Sequence, residues 1–421
     1  MLNLNFKGVN MINFSDYNPD KTGKEDVAKL LNKAILDAKG SKLIIEEGIY
    51  KSSSIFLASD LELHLCKGAR IVLGDNLDDF YDIKINRDST IKRPTWEDCY
   101  YDGRPSKYFI IGKDINKFKL TGEGTIDGSE ELFYGKVTEY HIEGAYYPRI
   151  PLIYIENGKN IEIKDVTLTR SAFWTLHLVG CQNVSIDNIK IKNSPIFTNC
   201  DGIDPDHCKN ISISNCDIYC ADDCIVLKTT EAFKKYGESS NISVRNCKLK
   251  STSAAIKIGT ESVSSFKNIS FENIDIYDTN RGISLMLRDG ADLKNATFKN
   301  INIDNHLVSP INWWGRGEPI SITNIKRNNE SVLGCVSNIY FENVNANSEN
   351  GITIVGENIS DIYFKNVNLD IKNKTDFPKK DLDLRPSIYD VKDMEFYKLL
   401  NIGGKNIYLD KCNFEITNKE I

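Results

Sequence analysis

One short pattern, an asparagine followed by alternating apolar and polar residues, recurs along this chain as KNIEIKDVTL, QNVSIDNIKI, KNISISNCDI, SNISVRNCKL, KNISFENIDI, KNATFKNINI, SNIYFENVNA and KNIYLDKCNF. The leading residues are Asn160, Asn183, Asn210, Asn241, Asn268, Asn295, Asn338 and Asn406, at intervals of 23, 27, 31, 27, 27, 43 and 68 residues. A further copy, DIYFKNVNL from Asp361, lies inside the last interval. Alternation of period two is strand-like, and a repeat of roughly 20 to 50 residues marks a stacked architecture. Units this short and this β-rich predict an all-β fold, a right-handed parallel β-helix forming a single domain over 1–421. Each coil of such a rod packs only on its neighbours, so 421 residues do not require two or three separate cores.

The repeat explains several local features. Inward positions are expected to form ladders of Ile, Val, Leu, Phe and Cys, and turn asparagines to stack and hydrogen-bond along the axis. The Asn-Ile-Ser strings at Asn210, Asn241 and Asn268 match a glycosylation sequon, but the repeat itself generates them. Cys208, Cys216, Cys220 and Cys224 lack a Cys-x2-Cys pair and are expected as core thiols, with no metal and no cofactor.

Rod ends expose strand edges, so caps are expected. Residues 22–40 predict a helix with Val27, Leu30, Leu31, Ala34, Ile35 and Ala38 on one face and Gly40 at its stop. Residues 80–150 are expected to hold partly inserted loops that shape a cleft, and 370–400 an insertion covering the carboxyl end.

A formal charge of −6 argues against nucleic acid as a partner, and no apolar run approaches the roughly 18 residues of a membrane span. Eleven cysteines, an odd number, with no visible leader segment, point to a reducing compartment and a cytoplasmic protein. Nothing in the sequence fixes an oligomeric state.

Acidic residues gather in TNCDGIDPDHC and CADDCIVLK. Asp201 and Asp222 are 21 residues apart, close to one coil, so Asp201 is expected to stack on Asp222 and Asp223 at about 4.8 Å. Carboxylates so close cannot all ionise freely, which yields one acid and one base, the pair that glycoside hydrolysis needs. A surface ladder of acids or a calcium site is the alternative. Neighbouring Asp222 and Asp223 would face opposite ways on a regular strand, so a turn or bulge is predicted there.

At Asn199-Cys200-Asp201 and Asp222-Asp223 the sequence resembles the polygalacturonases, glycoside hydrolase family 28, whose site carries Asn-Thr-Asp and Asp-Asp motifs. The strings LTGEGTIDG, FWTLHLVGCQNVSI and IKIGTES extend that likeness over most of the chain. The resemblance implies a right-handed parallel β-helix and an inverting glycosidase. Asp222 would be the general acid, and Asp201 and Asp223 would position and deprotonate water. Inverting enzymes hold their carboxyls roughly 6.5 to 9.5 Å apart, so a lateral offset between coils is expected. Two motifs depart from the pattern. Ser253-Ala254-Ala255 stands where the family has Gly-His-Gly, and Ser284-Leu285-Met286 where it has Arg-Ile-Lys.

Asn199, Lys257 of the IKIGTES segment and His177, about one coil before Asp201, are expected at the substrate, with His207 a weaker candidate. Arg281 and Arg288 would either take a sugar carboxylate or pair with Asp278 and Asp289. Trp313, Trp314, Arg316 and Glu318 form a candidate sugar wall in one loop, and the aromatic stretches 96–108 and 133–149 another. The resulting expectation is a glycosidase cleaving galacturonan-like or rhamnogalacturonan-like oligosaccharides from an end. The alternatives are a noncatalytic carbohydrate-binding rod and a polysaccharide lyase.

Overall fold

A computed structural model describes residues 11–81, 106–146, 148–310, 314–377, 381–389, 391–393 and 397–417. The chain winds as a right-handed parallel β-helix. One sheet holds eleven parallel strands, from Ile55–Phe56 to Leu399–Ile402, and a second sheet wraps the remaining faces. Apolar side chains at alternate positions point inward and stack on the same position one coil away. Phe271, Phe298, Phe341 and Phe364 form such a ladder with ring centroids 5.0 to 5.4 Å apart. Among the described residues the cysteines are free thiols, most of them buried in this core.

Asparagines turn the corners. Asn183, Asn210, Asn241 and Asn268 all adopt left-handed backbone angles, and each donates its side-chain N–H to the asparagine one coil earlier at 3.0 to 3.2 Å. The expected axial ladder is therefore present. Asparagine suits it because it tolerates the left-handed region and carries both a donor and an acceptor.

The amino-terminal helix is shorter than expected. It spans Ala28–Asp37, because Thr22–Asp26 instead adds a strand to the open edge of Gly48–Ser52. Val27, Leu31, Ala34, Ile35 and Ala38 are buried, whereas Leu30 faces solvent. No described helix is long and apolar enough to cross a membrane.

Residues 106–127 form a regular coil, and among the described residues of this region the antiparallel hairpin Tyr134–Val137 with Ile142–Ala145 departs from the rod. Phe133 is packed in the main core, and Tyr108 is buried against Tyr154 on the outer face of the eleven-stranded sheet. Trp96, Tyr100, Tyr101, Arg104 and Tyr147 lie outside the described residues.

The carboxyl-terminal insertion corrects a second expectation. It packs Leu382 and Leu384 against Ile325 and Val355 on the outer face of the eleven-stranded sheet. The last coil stays open, with Tyr408 and Leu409 about half exposed. Burying two leucines on an apolar patch beside the cleft is what draws the segment sideways.

Candidate active site

The outer face of the eleven-stranded sheet is open over the strands Ile225–Thr229, Ala254–Ser262 and Arg281–Leu287, with Asp201 at the lead-in to Ile203–Asp206. At the amino-terminal side Phe233 and Trp174 cover Tyr154 and His177. At the other side Arg385 and Pro386 of the insertion line the cleft, while Tyr397 caps Thr353. A groove becomes a pocket.

Asp201 leads into Ile203–Asp206, and Asp222 and Asp223 occupy the bend between Asp217–Cys220 and Ile225–Thr229. That bend frees both neighbours to face the same way, as expected. Ile203 is in register with Ile225, which sets Asp201 beside Asp223, one residue along from the partner that the 21-residue spacing suggests. Gly202 permits the approach: a Cβ there would lie 2.4 Å from the Cys224 carbonyl oxygen. One carboxylate oxygen from each of Asp201, Asp222 and Asp223 lies within 4.8 Å of the other two, and all three residues are buried. The wider separation expected from a lateral offset is absent.

The three acids differ in their partners. The Lys257 ammonium sits 2.7 Å from Asp223, whose other oxygen accepts from Ser253 Oγ at 3.1 Å. Lys228 lies 3.3 Å from Asp201 and 4.2 Å above the Trp174 ring. Asp222 accepts the Asn199 backbone N–H at 2.9 Å, and no described ammonium or guanidinium pairs with it. Burial, with the Asp223 charge second, raises the Asp222 carboxyl above its ordinary range. Burial likewise pushes Asp201 up to about 8, with Lys228 pulling the other way. Lys228 and Lys257 already pair with two of the three carboxylates, which leaves less uncompensated negative charge for a calcium ion than three bare acids would offer.

Asn199 lines the pocket in a left-handed turn, and its Oδ1 accepts from Arg149 at 2.6 Å. Lys257, Arg281 and Trp314 also line it. Arg281 pairs with Glu318, at 3.1 and 3.2 Å, and not with Asp278. Glu318 and Arg316 are buried behind the wall, Arg316 against Asp381, so they support the wall and do not face the cleft. Trp313 lies outside the described residues.

His177 is not at the cleft surface. It is fully buried under Trp174, with Nε2 3.3 Å from Asp206, and burial lowers its proton affinity. His207 is buried too, against the Thr230 carbonyl. Arg288 is likewise no substrate ligand. It is fully buried and donates to the Leu384 and Pro386 carbonyls and to Thr323, while Asp289 pairs with Arg327 instead. Its fork fits two backbone oxygens that the insertion presents, at Leu384 and Pro386, which a sugar would have to displace.

Ala254, Ser284 and Met286 line the pocket at the altered motif positions. Charge arrives from elsewhere, on Lys228, Arg327 and Arg385. Lys228 had a signal in the sequence, because strand alternation after Asp222-Asp223 sends it outward beside them. Arg327 and Arg385 had none, since both come from loops that only the folded chain brings over the sheet.

Fold and site together define a β-helix with an acid cluster in a walled carbohydrate-sized cleft. The chain belongs to the glycosyl hydrolases family 28, whose model matches residues 79–381. It is 29% identical over 205 residues to a probable polygalacturonase of Vitis vinifera, covering 47% of this chain and 38% of that one. It is 29% identical over 192 residues to a probable exopolygalacturonase B of Aspergillus terreus, covering 41% and 43%. The chain thus spans less than half the length of these curated relatives. A hyperthermoactive exopolygalacturonase from Thermotoga maritima superposes with a TM-score of 0.73 at 19% identity, over 96% of this chain and 92% of that one. The Yersinia enterocolitica family 28 exopolygalacturonase gives 0.64 at 18% identity, over 95% and 78%.

Proposed function

We propose that the protein is an exo-acting, inverting glycosidase of pectin-related oligosaccharides, with galacturonan-like or rhamnogalacturonan-like chains as substrates. The observation that carries this reading is the unequal partnering of three clustered carboxylates in one pocket. Asp223 is held by an ammonium at 2.7 Å and Asp201 by one at 3.3 Å, while Asp222 has a backbone N–H alone. The proton therefore stays on Asp222, which delivers it to the leaving oxygen. Asp223, with Asp201 beside it, holds the attacking water and removes its proton.

The carboxyl spacing is shorter than inverting enzymes usually show. A carboxylate already neutralised by a lysine is a poor nucleophile toward an anomeric carbon, yet it still binds water. That supports water, not Asp201 or Asp223, as the attacking group. Exo action is supported by the short floor: three strands at about 4.8 Å leave room for only a few sugar rings.

Asp222→Asn tests the acid, and activity close to wild type would remove it. Proton NMR of the first-formed sugar tests stereochemistry. Inversion of the anomeric configuration is expected, and retention would replace water with a covalent nucleophile while leaving the hydrolase reading in place.

A further inference from the structure

Behind the three aspartates lies a fourth. Asp204, on the strand Ile203–Asp206, is fully buried, and neither of its carboxylate oxygens meets a hydrogen-bond donor. The Oδ1 of Asp201 is equally buried and equally without a donor. Buried polar atoms in folded proteins are almost always paired, so three such oxygens in one place call for an explanation.

The charged groups around Asp204 are Asp201, Asp223, Lys228 and His177. His177 is its register partner one coil earlier; its Nε2 is engaged by Asp206, while its buried Nδ1 meets no partner among the described residues. Lys257 is committed to Asp223 at 2.7 Å. Lys228 is 3.3 Å from Asp201, 3.5 Å from Glu261 and 3.7 Å from Asp204. One ammonium faces three acids and stands nearest Asp201.

Burial raises Asp204 well above the usual carboxylate range, and the Asp201 charge adds to it. Two neighbouring carboxyls with no donor between them are satisfied together when one keeps a proton and donates it to the other. Asp201 needs that donor, because burial alone would leave it holding its own proton near neutral pH.

We propose that Asp204 is a neutral carboxylic acid that donates its hydrogen to Asp201, so that Asp201 stays ionised beside Asp223 where water is gripped. This rests on the hydrolase reading above. Asp204 touches neither substrate nor water and is a positioning residue: it sets the charge of a group that does. The single proton does not move during turnover.

The test uses the full chain with a 13C label on aspartate side-chain carboxyls, so that glutamates such as the buried Glu130 stay silent. Infrared difference spectra at neutral pH are expected to show a protonated-carboxyl band that persists in Asp222→Asn and disappears in Asp204→Asn. A labelled band wholly lost in Asp222→Asn, or unchanged in Asp204→Asn, overturns the proposal. If Asp204→Asn does not fold, the Asp222→Asn spectrum decides alone. In kinetics, the amide of Asp204→Asn still donates to Asp201, so kcat/KM is expected to stay within a few-fold of wild type, and a fall as large as that of Asp204→Leu overturns the proposal. Asp204→Leu has no donor and is expected to lower kcat/KM by roughly tenfold or more, the loss of one charge-assisted hydrogen bond. Wild-type turnover by Asp222→Asn would instead remove Asp222 as the general acid and leave the infrared result for Asp204 standing.

Discussion

A carboxyl kept protonated by burial weakens a fold, and Asp222, the acid in the function proposed above, is such a group. Its proton affinity is raised in the folded chain, so over a window above the ordinary carboxylate range the folded state holds a proton that the unfolded state has lost. Stability contributed by this group is complete at low pH and declines as pH rises through that window. Asp222→Asn, which cannot ionise, is expected to lower kcat by roughly 10²- to 10⁴-fold. The same variant should raise Tm at neutral pH, by on the order of 2 °C for about 1 kcal/mol. Calorimetry at several pH values checks the sign: the variant's advantage must grow as pH rises, and an advantage confined to acid pH contradicts the assignment. The bell-shaped activity profile expected of the cluster belongs to the same balance of one proton held and one absent. At this scale much was visible beforehand. Asp201, Asp222 and Asp223 announce themselves by type and spacing, and Lys228 follows from alternation. His177 misleads, because a histidine one coil from an aspartate reads the same whether it faces the cleft or lies beneath a tryptophan.

Elements differ in how far their positions follow from local pattern. The turn asparagines do so fully, since each needs a residue that accepts a positive φ and can both donate and accept. Asn268→Ala loses the bonds to Asn241 and Asn295 and strains its backbone at φ 56°, an expected cost of about 2 kcal/mol. Asn268→Gly keeps the backbone comfortable and should cost roughly half as much, as chemical denaturation of the two variants can show. The carboxyl-terminal insertion behaves in the opposite way. Its course over the sheet depends on Arg288, which donates to the Leu384 and Pro386 carbonyls from a site 98 residues away from the latter. Arg288→Met is expected to loosen this wall, raising KM several-fold with a smaller change in kcat, and to speed proteolysis within 372–398. Unchanged KM and unchanged cleavage would mean that the wall stands without the clasp.

The whole molecule is a stack whose coils meet only their neighbours, so opening should start where a coil has a neighbour on one side alone. Tyr408 and Leu409 of the last coil are about half exposed, whereas the amino-terminal end carries the helix Ala28–Asp37. Hydrogen exchange is expected to be fastest over 399–417 and slowest over the central coils, and uniform protection would contradict that order. The pocket walls carry a prediction at the same scale: small products should accumulate from the start, with little early fall in the viscosity of a polymeric substrate. The sequence by itself determined the rod, its inward ladders, its asparagine corners and the meeting of its aspartates. All of these follow from a period that places equivalent residues one strand spacing apart. Tertiary structure alone decided which residue stands directly beside Asp201, because one residue of register is below what an irregular repeat can specify. It alone also decided that Arg327 and Arg385 join Arg281 on one cleft. Those two come from segments whose paths are set by burial of distant surfaces, a quantity that no local spacing encodes.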